Sequence, residues 1–172
     1  MKIKSFYLLL ITLSIAFANC KDAATSAPAK GTESEIAARN KATFIKVNAL
    51  YNEKKLDEAV QFYAPNFERK TDKNIPGQKG VKTRWEETYK MWPDNKAIIE
   101  QIVAEGDWVM LRANASATHT QVVMGVKPTN KKISAAFWEA LRFNKDGLIE
   151  ESWSNLDNAA MMQQLGLLPA AK

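Results

Sequence analysis

The chain has 172 residues, 46% of them hydrophobic and 25% charged, with 7 glycines and 6 prolines. That composition fits one ordinary globular domain able to bury its own core, and it excludes collagen-like or wholly disordered polymers. One cysteine, Cys20, excludes an internal disulfide, and one histidine, His119, leaves too few ligands for a zinc site of His and Cys. The formal charge of +5 is scattered over pairs such as Lys54–Lys55, Arg69–Lys70 and Lys131–Lys132 with acids between them. This is a solvated surface, not the dense basic face that nucleic acid requires.

Met1-Lys2-Ile3-Lys4 is a short positive stretch, and Phe6 to Ala18 is almost wholly apolar. Residues 1–19 therefore read as a secretory signal, too short for a comfortable membrane span. The reading places the protein outside a bacterial cytoplasm, in the cell envelope. Two processing routes fit. Ala16-Phe17-Ala18 is an A-x-A site, and cleavage there leaves a soluble periplasmic or secreted chain. Phe17-Ala18-Asn19-Cys20 is a loose lipobox, and the only cysteine lies directly after the apolar run, so lipidation of Cys20 is the favoured route. Anchoring then takes more than one acyl chain. Residues 20–34 are rich in Ala, Ser, Thr, Pro and Lys and form a flexible tether. The folded domain spans 35–169.

From about Glu35, Phe44, Val47 and Leu50/Tyr51 recur at helical spacing. A second short helix carries Leu56, Val60 and Tyr63, with Pro65 as its stop. Thr71 to Gly80 is loop. A third helix places Val81, Trp85, Tyr89 and Trp92 on one side and ends at Pro93-Asp94. The period then changes to two. Strands are predicted over Ile98–Glu105, Trp108–Thr120, Ile133–Phe143 and Leu148–Asn155, with turns at Gly106-Asp107 and Lys145-Asp146-Gly147. Asn158–Leu165 is a closing helix. Helices followed by hairpin-linked strands predict an α+β domain with a mostly antiparallel sheet.

Alternate strand residues share a face. The third main strand aligns Ile133, Ala135, Phe137, Glu139, Leu141 and Phe143; the second ends its apolar row at His119; the last aligns Ile149, Glu151, Trp153 and Asn155, with Asp157 just beyond. A carboxylate on a buried face needs a partner, a shifted pKa or a wet pocket. Structural explanations stand beside functional ones. Glu139 can pair with Arg112 or Arg142, Asp157 can be a helix N-cap, His119 can be satisfied at the strand end, and Trp85, Tyr89 and Trp92 can be core. The convergence of polar groups and aromatics on one volume favours a pocket.

Several segments resemble the SnoaL-like (ester cyclase) family. They are Trp92-Pro93-Asp94, Ala104 to Val109, Ala117-Thr118-His119-Thr120, Gly125 to Thr129, Leu141-Arg142-Phe143 with Asp146 to Trp153, and Gln163-Gln164-Leu165-Gly166. The resemblance runs from about 40 to 169 in the family's order and spacing. It implies the cone-shaped fold of the nuclear transport factor two-like superfamily: three N-terminal helices packed on a curved, mostly antiparallel sheet that encloses an apolar pocket. Such domains often dimerise through the outer sheet face, so a homodimer is a partner to expect. Polyketide cyclases of the family close a ring by intramolecular aldol chemistry with an acidic residue as general acid/base. Asp157 in Trp153-x-x-x-Asp157 matches that acid, and His119 matches the family histidine. The family's Pro-Thr-Gly is here Pro128-Thr129-Asn130, and Asn can also take a left-handed turn.

Two functions follow, beside a third possibility, a structural dimer whose pocket is incidental. In the first, Asp157 takes a proton next to a carbonyl in a small apolar carbonyl or ester compound, and His119 hydrogen-bonds the substrate oxygen. Trp85, Tyr89, Trp92 and Trp153 form the walls, while Glu139 and Arg112 belong to the ligand-binding set. In the second, the same pocket holds a lipophilic small molecule without turnover. The sequence has no Gly-rich phosphate loop and no G-x-S-x-G elbow, so no cofactor is expected. Export argues against a polyketide substrate, whose biosynthesis is cytoplasmic.

Overall fold

The computed structural model describes residues 31–72 and 75–169; the expected signal, residues 20–30 of the tether and Cys20 lie outside them. Thr32 opens the first helix. Its hydroxyl accepts from the Glu35 N–H at 3.3 Å, and the Glu35 carboxylate accepts from the Thr32 N–H at 2.7 Å, a reciprocal cap on donors the helix leaves unpaired. This helix, α1, runs Glu33–Asn52 and buries Phe44, Val47, Leu50 and Tyr51. After it come α2 (Leu56–Ala59), a 3-10 turn (Val60–Phe62) and β1 (Tyr63–Arg69). The rest is α3 (Gly77–Met91), β2 (Lys96–Glu105), β3 (Trp108–Thr118), β4 (Lys132–Phe143), β5 (Ile149–Leu156) and α4 (Asn158–Gln164). The architecture is the α+β cone that the resemblance implies: helices on a five-stranded sheet of order β1-β5-β4-β3-β2.

β1 corrects the sequence reading, which carried the second helix through Tyr63 and treated Pro65 as its stop. At the edge of the sheet a proline, with no N–H to donate, is tolerated. β1 pairs parallel with β5, Arg69 opposite Ser152, and so makes an otherwise antiparallel sheet mixed. The loop expected over 71–80 is shorter, because α3 already begins at Gly77. That glycine has φ +59, and a Cβ there would meet the Pro65 carbonyl oxygen at 2.6 Å. Its absence lets α3 start hard against β1.

Two bulges shape the inner face. β2 slips between Ile99 and Gln101 against β3, so Ile99 and Ile102 both pack on the core. β5 slips against β4: Phe143 faces Ile149, but Arg142 faces Glu151. The extra residue, Glu150, reverses the in–out parity of everything after it. Val109, Leu111, Leu141, Phe143 and Ile149 form the closed end of the core, each no more than 2% exposed.

Side-chain amides fasten helices to strand edges. Asn52 Oδ1 accepts from the Ala97 N–H at 2.9 Å and its Nδ2 donates to the Ala97 carbonyl at 2.8 Å, so α1 acts as a further strand partner for β2. Gln164 does the same for β4 where β5 has ended: Oε1 accepts from the Ser134 N–H at 2.9 Å and Nε2 donates to its carbonyl at 2.6 Å. The isosteric change Asn52→Leu strands the Ala97 N–H and leaves its carbonyl with only the longer bond from Asn48 Nδ2, at 3.2 Å. It is expected to lower the unfolding free energy by about 1–3 kcal/mol; urea denaturation showing no loss would mean the amide only decorates the edge.

Candidate functional site

Between α1, α3 and the concave sheet face lies a cavity of about 300 Å³, at the small end of the roughly 300–1,000 Å³ typical of ligand pockets. Its walls are mainly apolar: Phe44 and Val47 from α1, Trp85 from α3, Phe67 from β1, Ile133 and Phe137 from β4. An aromatic group stiffens one side. Trp85 lies with its ring centre 5.6 Å from Tyr63 and 5.4 Å from Tyr51, both tilted or edge-on. Tyr51 is held in turn by Asn95, whose Nδ2 donates to its hydroxyl at 2.6 Å.

A few polar groups interrupt these walls. Glu139 is the sole carboxylate among the described lining residues, and its side chain is 13% exposed. Its Oε1 lies 3.8 Å from an Arg69 guanidinium nitrogen, beyond hydrogen-bond range. The same nitrogen donates to Ser154 Oγ. Burial pushes the Glu139 carboxyl above the ordinary carboxylate range, and the Arg69 charge opposes this only in part. Burial, and then the Glu139 charge, also raise the Tyr63 phenol, which keeps its proton at neutral pH. The site therefore combines a carboxyl that holds a proton more tightly than usual with a permanent cation and hydroxyls of Ser152, Ser154 and Tyr63 in an apolar chamber.

The expected residues divide. Glu139, Trp85 and Trp92 line the cavity. Tyr89 does not; it stacks behind Tyr51 at 5.1 Å and donates its hydroxyl to the Tyr51 carbonyl at 2.6 Å. Trp153 and Arg112 are on the opposite face of the sheet, where Trp153 packs at 5.3 Å from Trp108 and Arg112 pairs with Glu100. For Trp153 the cause is the Glu150 bulge, which turns Ser152, Ser154 and Leu156 inward in place of Glu151, Trp153 and Asn155. Glu151 is bound outside by Arg142 at 2.6 Å and Lys70 at 2.7 Å, which hold its carboxyl below the ordinary range. The partner of Glu139 is thus neither Arg112 nor Arg142 but Arg69.

Asp157 is exposed and outside the cavity lining. It caps α4, its Oδ1 accepting from the Ala160 N–H at 2.9 Å, the structural alternative raised by its position before a helix. His119 is fully buried but is not among the residues that line the cavity. Its Nδ1 meets Thr129 Oγ1 at 3.0 Å, Trp92 covers its ring at 5.8 Å, and its Nε2 has no partner among the described residues. The structure does not bring Asp157 and His119 together in the chamber. The residues that sequence reasoning missed are Arg69, Tyr63, Ser152 and Ser154. A signal existed for β1, since Phe67 and Arg69 alternate after Pro65, where the predicted helix stops. None existed for β5, because its bulge leaves no mark in the residue types.

An α+β cone around an apolar chamber with a few convergent polar groups defines a class of small-molecule pocket domains. A family model described as SnoaL-like polyketide cyclase matches residues 43–165, and the chain belongs to that family. Among solved structures it is similar to AclR from Streptomyces galilaeus, provisionally assigned as a hydroxylase, with 29% identity, 79% of this chain and 90% of that chain covered, and a TM-score of 0.71. It is also similar to IdmH from Streptomyces antibioticus, provisionally assigned as a polyketide cyclase, at 30% identity, 74% and 98% coverage and a TM-score of 0.66. A protein of Bacillus cereus with the same provisional assignment shares 28% identity over 76% of this chain and 82% of that one, with a TM-score of 0.62. Among curated proteins none matches the chain significantly.

The raised Glu139 carboxyl links stability to pH. With the folded pKa above the unfolded one, its contribution is complete below the unfolded value and is lost as pH rises through the folded value. Relative to wild type, Glu139→Gln should therefore gain in melting temperature as pH rises from about 4, and the gain should level off once the raised folded value is passed. A difference that stays constant with pH would contradict the burial assigned to this group.

Proposed function

We propose that the protein binds a small, largely apolar carbonyl compound in this cavity and moves a proton next to its carbonyl group, with Glu139 as general acid/base. The observation that carries the reading is one carboxyl, buried in an apolar chamber and raised by that burial, beside a fixed guanidinium. A carboxylate so placed takes a proton from the carbon adjacent to a carbonyl; the electron pair moves onto the carbonyl oxygen, and Arg69 and the neighbouring hydroxyls stabilise the developing charge. The raised proton affinity then lets Glu139 return the proton, to carbon or to an oxygen. Kinship to proteins named as cyclases supports carbonyl chemistry as the reaction class. The role assigned to Asp157 on the resemblance passes to Glu139, because Asp157 is occupied as a cap. No step in this scheme calls on a cofactor.

A second reading, ligand holding without turnover, is favoured by one observation: neither Asp157 nor His119 faces the chamber. Proton exchange separates the two. In D2O the protein should accelerate deuterium incorporation next to the carbonyl of 2-tetralone. Glu139→Gln should slow this by about 10²–10⁴-fold, while Asp157→Asn should leave it unchanged. Quenching of tryptophan fluorescence by 2-tetralone without any exchange would replace the enzyme by the binder.

The proposal extends to place and assembly: an exported protein held at the envelope by lipid on Cys20, and a homodimer formed through the outer sheet face. Val103, Met110 and Trp138 support the second part, being 65%, 55% and 58% exposed on that face, an apolar surface of the kind that association covers. No described helix is long and apolar enough to cross a membrane. Native mass spectrometry of the protein taken from its own envelope should give a dimer mass carrying acyl chains. A bare monomer starting at Asn19 would overturn both parts.

A further inference from the structure

The polar end of the chamber carries more information than acid/base chemistry requires. Three charged side chains line the cavity: Arg69, Arg84 and Glu139. Arg84 is matched by Asp72 at 2.7 Å. Arg69 is not matched in this way. A structural arginine–carboxylate pair closes to about 2.7–2.9 Å and is often forked, whereas the nearest Glu139 oxygen lies at 3.8 Å. The guanidinium's one hydrogen bond among the described residues goes to Ser154 Oγ, although arginine has five donors in a fixed plane. Arg69 is 24% exposed in its side chain, and it lines the cavity.

We propose that the ligand is a small apolar compound bearing a carboxylate, seated with that carboxylate between the Arg69 guanidinium, the Glu139 carboxyl and Ser154. The inference rests on the reading of the cavity as the ligand site, in its ligand-holding form, because a Glu139 that donates its proton to a carboxylate is not the base of the proton-transfer scheme. An apolar body fits the walls, and an anionic head fits the donors that Arg69 leaves unused. Two carboxyl groups side by side cannot both stay ionised at low cost, so Glu139 enters as its protonated form and donates to the ligand. Burial already favours that form before any ligand arrives. Binding therefore takes up a proton wherever Glu139 is ionised in the free protein.

The test is calorimetric titration of the intact folded protein with phenylacetate and with its neutral isostere phenylacetamide, repeated from mildly acidic to mildly alkaline pH. Phenylacetate should bind at least about tenfold more tightly at the acidic end, the scale of one charge-assisted hydrogen bond. Its affinity should fall by up to about tenfold per pH unit once Glu139 ionises, while that of phenylacetamide stays flat. Arg69→Met should remove the preference for the anion, and Glu139→Gln, which still donates, should keep the preference but flatten its pH dependence. Equal affinity for the two compounds, or a preference that survives Arg69→Met, overturns the carboxylate inference and leaves the cavity reading standing. Binding of neither compound overturns both. Should Arg69→Met fail to fold, the wild-type pH series and Glu139→Gln decide the matter alone.

Discussion

A carboxyl on the apolar inner face of a curved sheet is hard to charge, and much of the chamber can be understood from how Glu139 is accommodated. Its row on β4 is otherwise Ile133, Ala135, Phe137, Leu141 and Phe143, so nothing on its own strand offers a partner. Relief comes from across the sheet: β1 brings Arg69, and β5 turns Ser154 inward to hold the guanidinium. The accommodation is partial, since Arg69 stands off at 3.8 Å and the proton affinity of Glu139 stays raised. Incomplete pairing of this kind leaves both groups available to a third molecule, which is the physical content of a binding site.

The short segments shared with the family read, in this chain, mainly as joints of the cone. Asp94 takes both the N–H and the hydroxyl of Thr118, at 2.8 and 2.6 Å, fastening the end of α3 to the end of β3. Those bonds keep the Asp94 carboxyl below its ordinary range. Thr129 meets His119, and Asn130 adopts the left-handed turn at φ 57 where the family usually has glycine. Gln164 closes the exposed edge of β4. Each joint trims an end that would otherwise leave backbone groups unpaired. Together they position Trp92 and Met161 at one end of the cavity.

The fold was largely legible, and the site only in part. Helical spacing of Phe44, Val47 and Tyr51 located α1, and alternation located β2 to β5 within about two residues. Glu139 stood out because a charged residue broke an unbulged apolar row. His119 was correctly placed on the buried side, yet its strand ends at Thr118, and beyond that end burial no longer means facing the chamber. β1 was hidden by Pro65, which reads as a helix stop and is tolerated only because this strand lies at the sheet edge.

Local pattern alone therefore determined the element types, the α+β class and the one carboxyl that interrupts the core, since each depends on residues within a turn or a strand of one another. Which arginine meets that carboxyl, whether Trp153 or Ser154 faces the chamber, and whether Asp157 reacts or caps were decided by the tertiary structure. The reason is register: pairing between segments some 80 residues apart, such as Arg69 with Ser152, and one extra residue at Glu150 set the side to which every following side chain points. Those pairings are stabilised by contacts that no window along the chain contains.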